Sequence, residues 1–176
     1  TSCLKAVFNQ GFEDMEVILI DNQSTDMTVA KAKKFDVKVL EIDNYLPGDA
    51  LNFGIRASTG DFIASLSAHC IPKDRHWLSN LLKNFDDEAV AGVYGRQEPM
   101  SFTNDLDKRD LYIVFGFDRR VQVKDSSFHN ANSLIRRSVW EQIPFDDKVT
   151  NIEDRVWGQK IIDAGYKIVY EPEATV

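Results

Sequence analysis

Two adjacent carboxylates, Glu153 and Asp154, open a helical stretch, EDRVWGQKIIDAG, after the polar run DDKVTN. Acids in a first helical turn face the positive end of the peptide dipoles and stay ionised, the state a general base needs; the same placement also simply favours helix formation. Asp21 ends the apolar run EVILID, where an acid is costly without partners. Ser67 and His69 follow a second apolar run, FIASL, in the stretch LSAHCIP. The imidazole can ligate a first-row metal ion or, when protonated, neutralise an anion, and the hydroxyl can hydrogen-bond a ligand. Arg96 and Gln97 end a third run, VAGVYG, placed either to grip a ligand or to pair with a surface acid. Asn130 and Asn132 flank a small Ala131, a pattern suited to hydrogen-bonding ligand hydroxyls or to a turn.

The elements that must carry these residues follow from periodicity. Leu4, Val7 and Phe8 share one helical face within residues 1–12, and Gly11 stops that helix. Strands are predicted over 16–21, 37–42, 61–66 and 89–95, with helices over the TVAKAKKF stretch, capped by Ser24 or Thr25, and over 48–59 and 75–85. Strands alternating with helices imply a mostly parallel sheet covered on both faces, with ligands bound beyond the carboxyl ends of the strands. The alternation fails over 96–131, an Asp- and Arg-rich excursion with one aromatic patch, DLYIVFGF. It resumes with a strand at 132–137, helices at 138–143 and 153–165, and a last strand at 166–170 before Pro172.

The 176 residues are 43% hydrophobic, enough for one core, and no shift of composition marks a second domain. A net charge of −7 without a compensating basic block argues against a nucleic-acid groove. The longest apolar runs fall well short of the roughly 20 residues that span a bilayer. Cys3 and Cys70, far apart and without CxxC spacing, suit reduced thiols and a cytoplasmic setting.

Four blocks resemble the family-2 glycosyltransferases, inverting enzymes of the GT-A fold: EVILIDNQSTD (16–26), ALNFGIRASTGDFIASLSAHCIP (50–72), WLSNLL with VAGVYGRQEP (77–99), and EDRVWGQKIIDAGYKIVYEPEATV (153–176). The segments VYGRQEP and FHNANSLIRR look most like the branch containing rhamnosyltransferases of bacterial polysaccharide synthesis. The resemblance implies one GT-A domain over residues 1–176, truncated at both ends relative to the family and without the family's first strand. It also implies transfer from a nucleoside-diphosphate-sugar to a glycan or lipid-linked acceptor. Peripheral association with the inner face of the cytoplasmic membrane and a homo-oligomer are left open.

On this resemblance Asp154, beside Glu153, is the base that takes the acceptor proton. Asp21 and Asn22 meet the nucleotide base, in a position where the family usually carries two aspartates. Ser24 and Asp26 read as helix caps rather than ligand contacts. Asn52 matches a family asparagine, and the arginine that often precedes it is Leu51 here. Arg96, Gln97, Asn130, Asn132 and Trp157 fall to the acceptor, with Trp157 equally placed to be core. The family's paired metal-binding aspartates correspond to Ser67 and His69, a poor magnesium site. His69 then either ligates manganese or a similar ion, or meets the diphosphate directly as a cation. Two other readings compete: a nucleotidyltransferase, and a nucleotide-sugar-binding domain without catalysis.

Overall fold

A computed structural model describes all residues, Thr1 to Val176. In chain order the elements are α1 (Ser2–Phe8), β1 (Ile18–Asp21), α2 (Thr28–Ala32), β2 (Lys38–Glu41), α3 (Pro47–Arg56), β3 (Phe62–Leu66), α4 (Trp77–Leu82) and β4 (Val90–Arg96). They continue with α5 (Asp105–Val114), β5 (Arg120–Gln122), β6 (Asn132–Arg136), α6 (Arg137–Trp140), α7 (Glu153–Asp163) and β7 (Lys167–Thr175). The excursion after β4 therefore holds a helix and a short strand of its own.

Among the element boundaries that differ from expectation, two have a clear local cause. Neither Ser24 nor Thr25 caps α2: the helix starts at Thr28, whose amide donates to Oδ1 of Asp26 at 2.8 Å. Pro172 does not end β7, because the register jumps from Gly95 opposite Glu171 to Arg96 opposite Thr175. Residues 172–174 bulge out of the ladder, and a proline, which has no N–H to give, is tolerated there.

β1 and β2 form a parallel pair, and the remaining strands form a sheet in the order β3-β6-β4-β7-β5. That sheet is mixed: β4 runs parallel to β7, β6 runs against both β3 and β4, and β5 runs against β7. The reversals arise because the chain leaves β4 at its carboxyl end and enters β6 from that same end. All seven residues of β4 are buried, with a core layer on each face. Trp157, Phe128, Tyr94 and Ile161 lie on one side, and Trp77, Leu81, Val93 and Leu134 on the other. Gly92 permits this, since a Cβ there would stand 2.9 Å from the ring of Phe128 and 3.0 Å from that of Trp157.

Glu16, just before β1, accepts hydrogen bonds from the amides of Thr59 and Gly60, just before β3. The Thr59 amide is the main reason its carboxyl sits below the usual range, helped by the Thr59 hydroxyl and the Gly60 amide. The tie holds the amino ends of β1 and β3 together. They do not pair; a cleft of about 820 Å³ separates them, lined by both strands and by Leu4, Val7, Leu51 and Ile55. Ile18, Leu19 and Ile20 are consequently only half-buried.

At the start of β6, Asn132 is wholly buried. Its Nδ2 donates to the carbonyls of Arg96 and Ala174 at 3.0 and 2.9 Å, and its Oδ1 accepts from the indole N–H of Trp77 at 2.8 Å. It therefore fastens β6 to the bulged ends of β4 and β7 and to α4.

Two outcomes are expected. Asn132→Ala strands an indole N–H and two carbonyls in the interior and should cost at least about 2 kcal/mol of stability, given roughly 1–3 kcal/mol per buried unsatisfied group, measured by urea unfolding. The 176 residues alone, with the facing edges of β1 and β3 unpaired over an apolar cleft, should melt broadly, bind a hydrophobic dye and self-associate. A sharp, reversible, monomeric melt without dye binding would refute the second expectation.

Candidate active site

Strand direction decides which loops meet. β1, β3, β4 and β7 share one carboxyl end, and β6, running the other way, begins there. α7 leads into the amino end of β7 and runs against it, so its first turn lies at the carboxyl end. Asp21, Ser67, His69, Arg96, Asn130, Glu153 and Asp154, drawn from five segments of the chain, thus gather along one rim of the sheet.

Asp21 is buried, and its Oδ2 accepts from the amide of Ser24 at 2.9 Å, which turns the loop after β1. Its Oδ1 takes no protein donor. The next residue, Asn22, is exposed, and Gln23 adopts a left-handed φ of 54° with its side chain on Asp43. The loop therefore holds an acid ready to accept one further hydrogen bond.

Ser67 and His69 form a tight turn closed by the amide of Cys70 on the carbonyl of Ser67 at 2.9 Å. The hydroxyl of Ser67 lies 3.1 Å from Nδ1 of an exposed His69. The amide of Ser67 donates to the carbonyl of Ala131, which joins this turn to the start of β6. A divalent cation here would meet one imidazole and one hydroxyl already in mutual contact, and no group of three His, Cys, Asp or Glu side chains gathers elsewhere. These donors do not make the oxygen-rich shell that magnesium requires. Burial pushes the neighbouring Cys70 thiol up to about 11, so near neutral pH it is a protonated, unreactive thiol.

Arg96 is 7% exposed. Its guanidinium lies 4.0 Å from the ring centre of Phe117 and donates to Oε1 of Glu98 at 2.8 Å, while its Nε has no partner. Lys73 holds the other oxygen of Glu98, also at 2.8 Å. Gln97 is half-buried beside this network. Glu98, Phe117 and Lys73 were not singled out from the sequence, because nothing local marks them as partners of Arg96.

The acid pair divides. Glu153 is buried and its Oε1 accepts from Nδ2 of Asn130 at 3.2 Å, so it anchors α7 to β6. Asp154 is half-buried, and its Oδ1 accepts only the amide of Arg155 at 2.8 Å, leaving the other oxygen available. Asn130 is 8% exposed, and its Oδ1, closed off from solvent, has no partner.

Three sequence-based assignments fail. Trp157 has no exposed ring face for a sugar: it is 0% exposed, packs on Phe128 and Phe145, and its indole donates to the carbonyl of Ile143 at 2.8 Å. Asn52 is buried and saturated, donating to the carbonyl of Phe145 and accepting from the Trp140 indole and the Phe145 amide. Asn132 is committed to the three bonds that fasten β6. An asparagine in a polar motif is indistinguishable by type from one that satisfies buried backbone.

Comparison with known proteins bears on the family and the fold. Residues 1–143 match the family model described as glycosyl transferase family 2. Among curated proteins, the O-antigen chain rhamnosyltransferase WbaN of Salmonella anatum is 29% identical over 92% of this chain and 55% of its own length. RfbN of Salmonella typhimurium, another O-antigen chain rhamnosyltransferase, is 28% identical over 98% of this chain and 60% of its own. The chain thus spans somewhat over half the length of these relatives. Among solved structures, the mannosyltransferase PcManGT of Pyrobaculum calidifontis, in complex with GDP-Man and Mn2+, superposes with a TM-score of 0.79 at 23% identity, covering 98% of this chain and 50% of that one. S. aureus TarS in complex with UDP gives 0.75 at 16% identity, over 99% of this chain and 56% of that one. The fold is that of the GT-A glycosyltransferases, and with four-fifths of its length matched the chain belongs to glycosyl transferase family 2.

Proposed function

We propose that the domain transfers a sugar, with inversion at the anomeric carbon, from a nucleoside-diphosphate donor to a glycan or lipid-linked acceptor in bacterial surface-polysaccharide synthesis. Rhamnose is the first sugar to test, because both O-antigen relatives carry that activity in their names. The observation that carries this reading is the available carboxylate of Asp154 on the rim where the strands end, in a chain of this family.

In the reaction, the acceptor hydroxyl oxygen attacks the anomeric carbon as the bond to the diphosphate oxygen breaks. Asp154 takes the hydroxyl proton, and the nucleoside diphosphate leaves with the bonding electrons. Asp21 accepts from the nucleotide base through its free oxygen, with Asn22 beside it. Ser67 and His69 face the diphosphate and contribute a hydroxyl and an imidazole in place of paired carboxylates. Arg96, Gln97 and Asn130 serve the acceptor, and Glu153 holds the helix that carries the base. Because the donor set at 67–69 does not suit a hard cation, no step is routed through one. The setting proposed is the cytoplasm, at the inner face of the membrane; no helix is long and apolar enough to cross a membrane. Self-association through the open strand edges belongs to the same proposal, and no nucleic acid does.

Asp154→Asn should leave donor affinity within a few-fold and lower turnover by about 10²-fold or more, the scale for losing a general base. Near-normal turnover would exclude this assignment, and binding without turnover in the unmodified protein would favour a non-catalytic sugar-nucleotide domain. Calorimetric donor binding should survive a chelator, and His69→Ala should weaken it with or without manganese. A strict magnesium requirement undiminished in His69→Ala would show that another carboxylate holds an ion.

A further inference from the structure

His129 sits just before β6, one residue ahead of Asn130, at the same rim as Asp154. Its ring packs against Tyr94 with centroids 5.3 Å apart and meets Phe115 edge-on at 5.0 Å. Both are buried aromatic side chains, one on β4 and one ending α5. Although the imidazole is thus clamped between two rings, neither of its nitrogens has a hydrogen-bond partner in the protein, and neither is fully closed off from solvent. Because the ring is fixed by two buried aromatics while both nitrogens stay open, they can take hydrogen bonds from a molecule bound at this rim.

The charged and titratable groups around the ring come from three elements: Asp154 and Arg155 in the first turn of α7, Arg120 on β5, and Tyr94 on β4. Burial lowers the imidazole below its ordinary value, Asp154 opposes that shift, and Arg155 and Arg120 reinforce it. The ring is therefore neutral at physiological pH, with one N–H to give and one lone pair to accept, the complement of a sugar hydroxyl.

We propose that His129 is an acceptor-binding residue: its neutral imidazole, clamped by Tyr94 and Phe115, hydrogen-bonds a hydroxyl of the acceptor sugar beside the carboxylate of Asp154. This rests on Asp154 acting at the reacting hydroxyl, since the two side chains would hold one sugar between them. Protonation of His129 at acid pH removes the lone pair and places a cation against Asp154, so acceptor binding weakens as the pH falls.

The test uses methyl glycosides of rhamnose, mannose and galactose as acceptor probes, titrated into the protein with nucleoside diphosphate present and followed by NMR between about pH 5 and 8, a range that brackets a lowered imidazole. Two variants separate packing from hydrogen bonding. His129→Phe keeps the aromatic clamp and should bind the preferred glycoside about tenfold more weakly, the worth of one net hydrogen bond, with no acid-side loss. His129→Gln should recover most of the affinity, also without the acid-side loss. Thermal melts report whether each variant is folded. Wild-type affinity and pH dependence in a folded His129→Phe would overturn the proposal, as would failure of the wild-type protein to bind any of the three glycosides. Asp154→Asn is the control: normal turnover in it would overturn the base assignment alone, and unchanged glycoside binding in a folded His129→Phe would overturn the histidine alone.

Discussion

The rim that gathers the candidate site exists because the ends of β4 and β7 and the start of β6 meet around one buried amide. Asn132 ties the carbonyls at the ends of β4 and β7 to the start of β6 and to the indole of Trp77. Gly95 makes room for it, since a Cβ there would stand 2.5 Å from Nδ2 of Asn132 and would overlap the carbonyl of Ala174. The bulge in β7 opposite this point lets the strand continue beyond Pro172, so that the amide of Val176 bonds the carbonyl of Arg96 at 3.0 Å. Arg96, Asn130 and His129 are aimed by this knot rather than by their own loops.

A second constraint is electrostatic. The rim collects cations and acids from distant segments, and each is partly neutralised before any ligand arrives. Glu98 is shared by Arg96 and Lys73, and buried Glu171 lies 3.4 Å from Lys83 and 3.7 Å from Arg119. What remains available is small and specific: one oxygen of Asp154, one of Asp21, Oδ1 of Asn130, and the nitrogens of His129. In a partly desolvated setting these few unfilled valences weigh more than the many satisfied ones, because an unpaired buried polar group costs more than a paired one returns.

The turn at Ser67 and His69 offers a hydroxyl and an imidazole rather than a pair of carboxylates. A hydroxyl and an imidazole offer directional hydrogen bonds, where carboxylates offer fixed negative oxygens for a hard ion. The hydroxyl and ring also hold one another at 3.1 Å, so the pair is ordered without an ion between its members.

Local pattern alone was enough to locate most of the framework. Apolar, β-branched runs placed β1, β2, β3, β4 and β6 within a residue or two, and the acid pair marked the start of α7, because strand and helix periodicity are properties of neighbouring residues. It also marked Asp21, Ser67, His69, Arg96 and Asp154 as candidates, each at the end of an apolar run or the start of a helix, and the family resemblance gave them their proposed roles. Long-range contacts decided the rest. Whether Asn52, Asn132 and Trp157 were ligand contacts or structural members depended on partners 93, 55 and 14 residues away. The direction of β6 depended on where the excursion re-enters the sheet. His129 was passed over since its neighbours along the chain are unremarkable, and only the fold brings Tyr94, Phe115 and Asp154 around it. Type and spacing tell which groups can do chemistry; which of them keep a free valence is set by the hydrogen bonds that distant segments make with them.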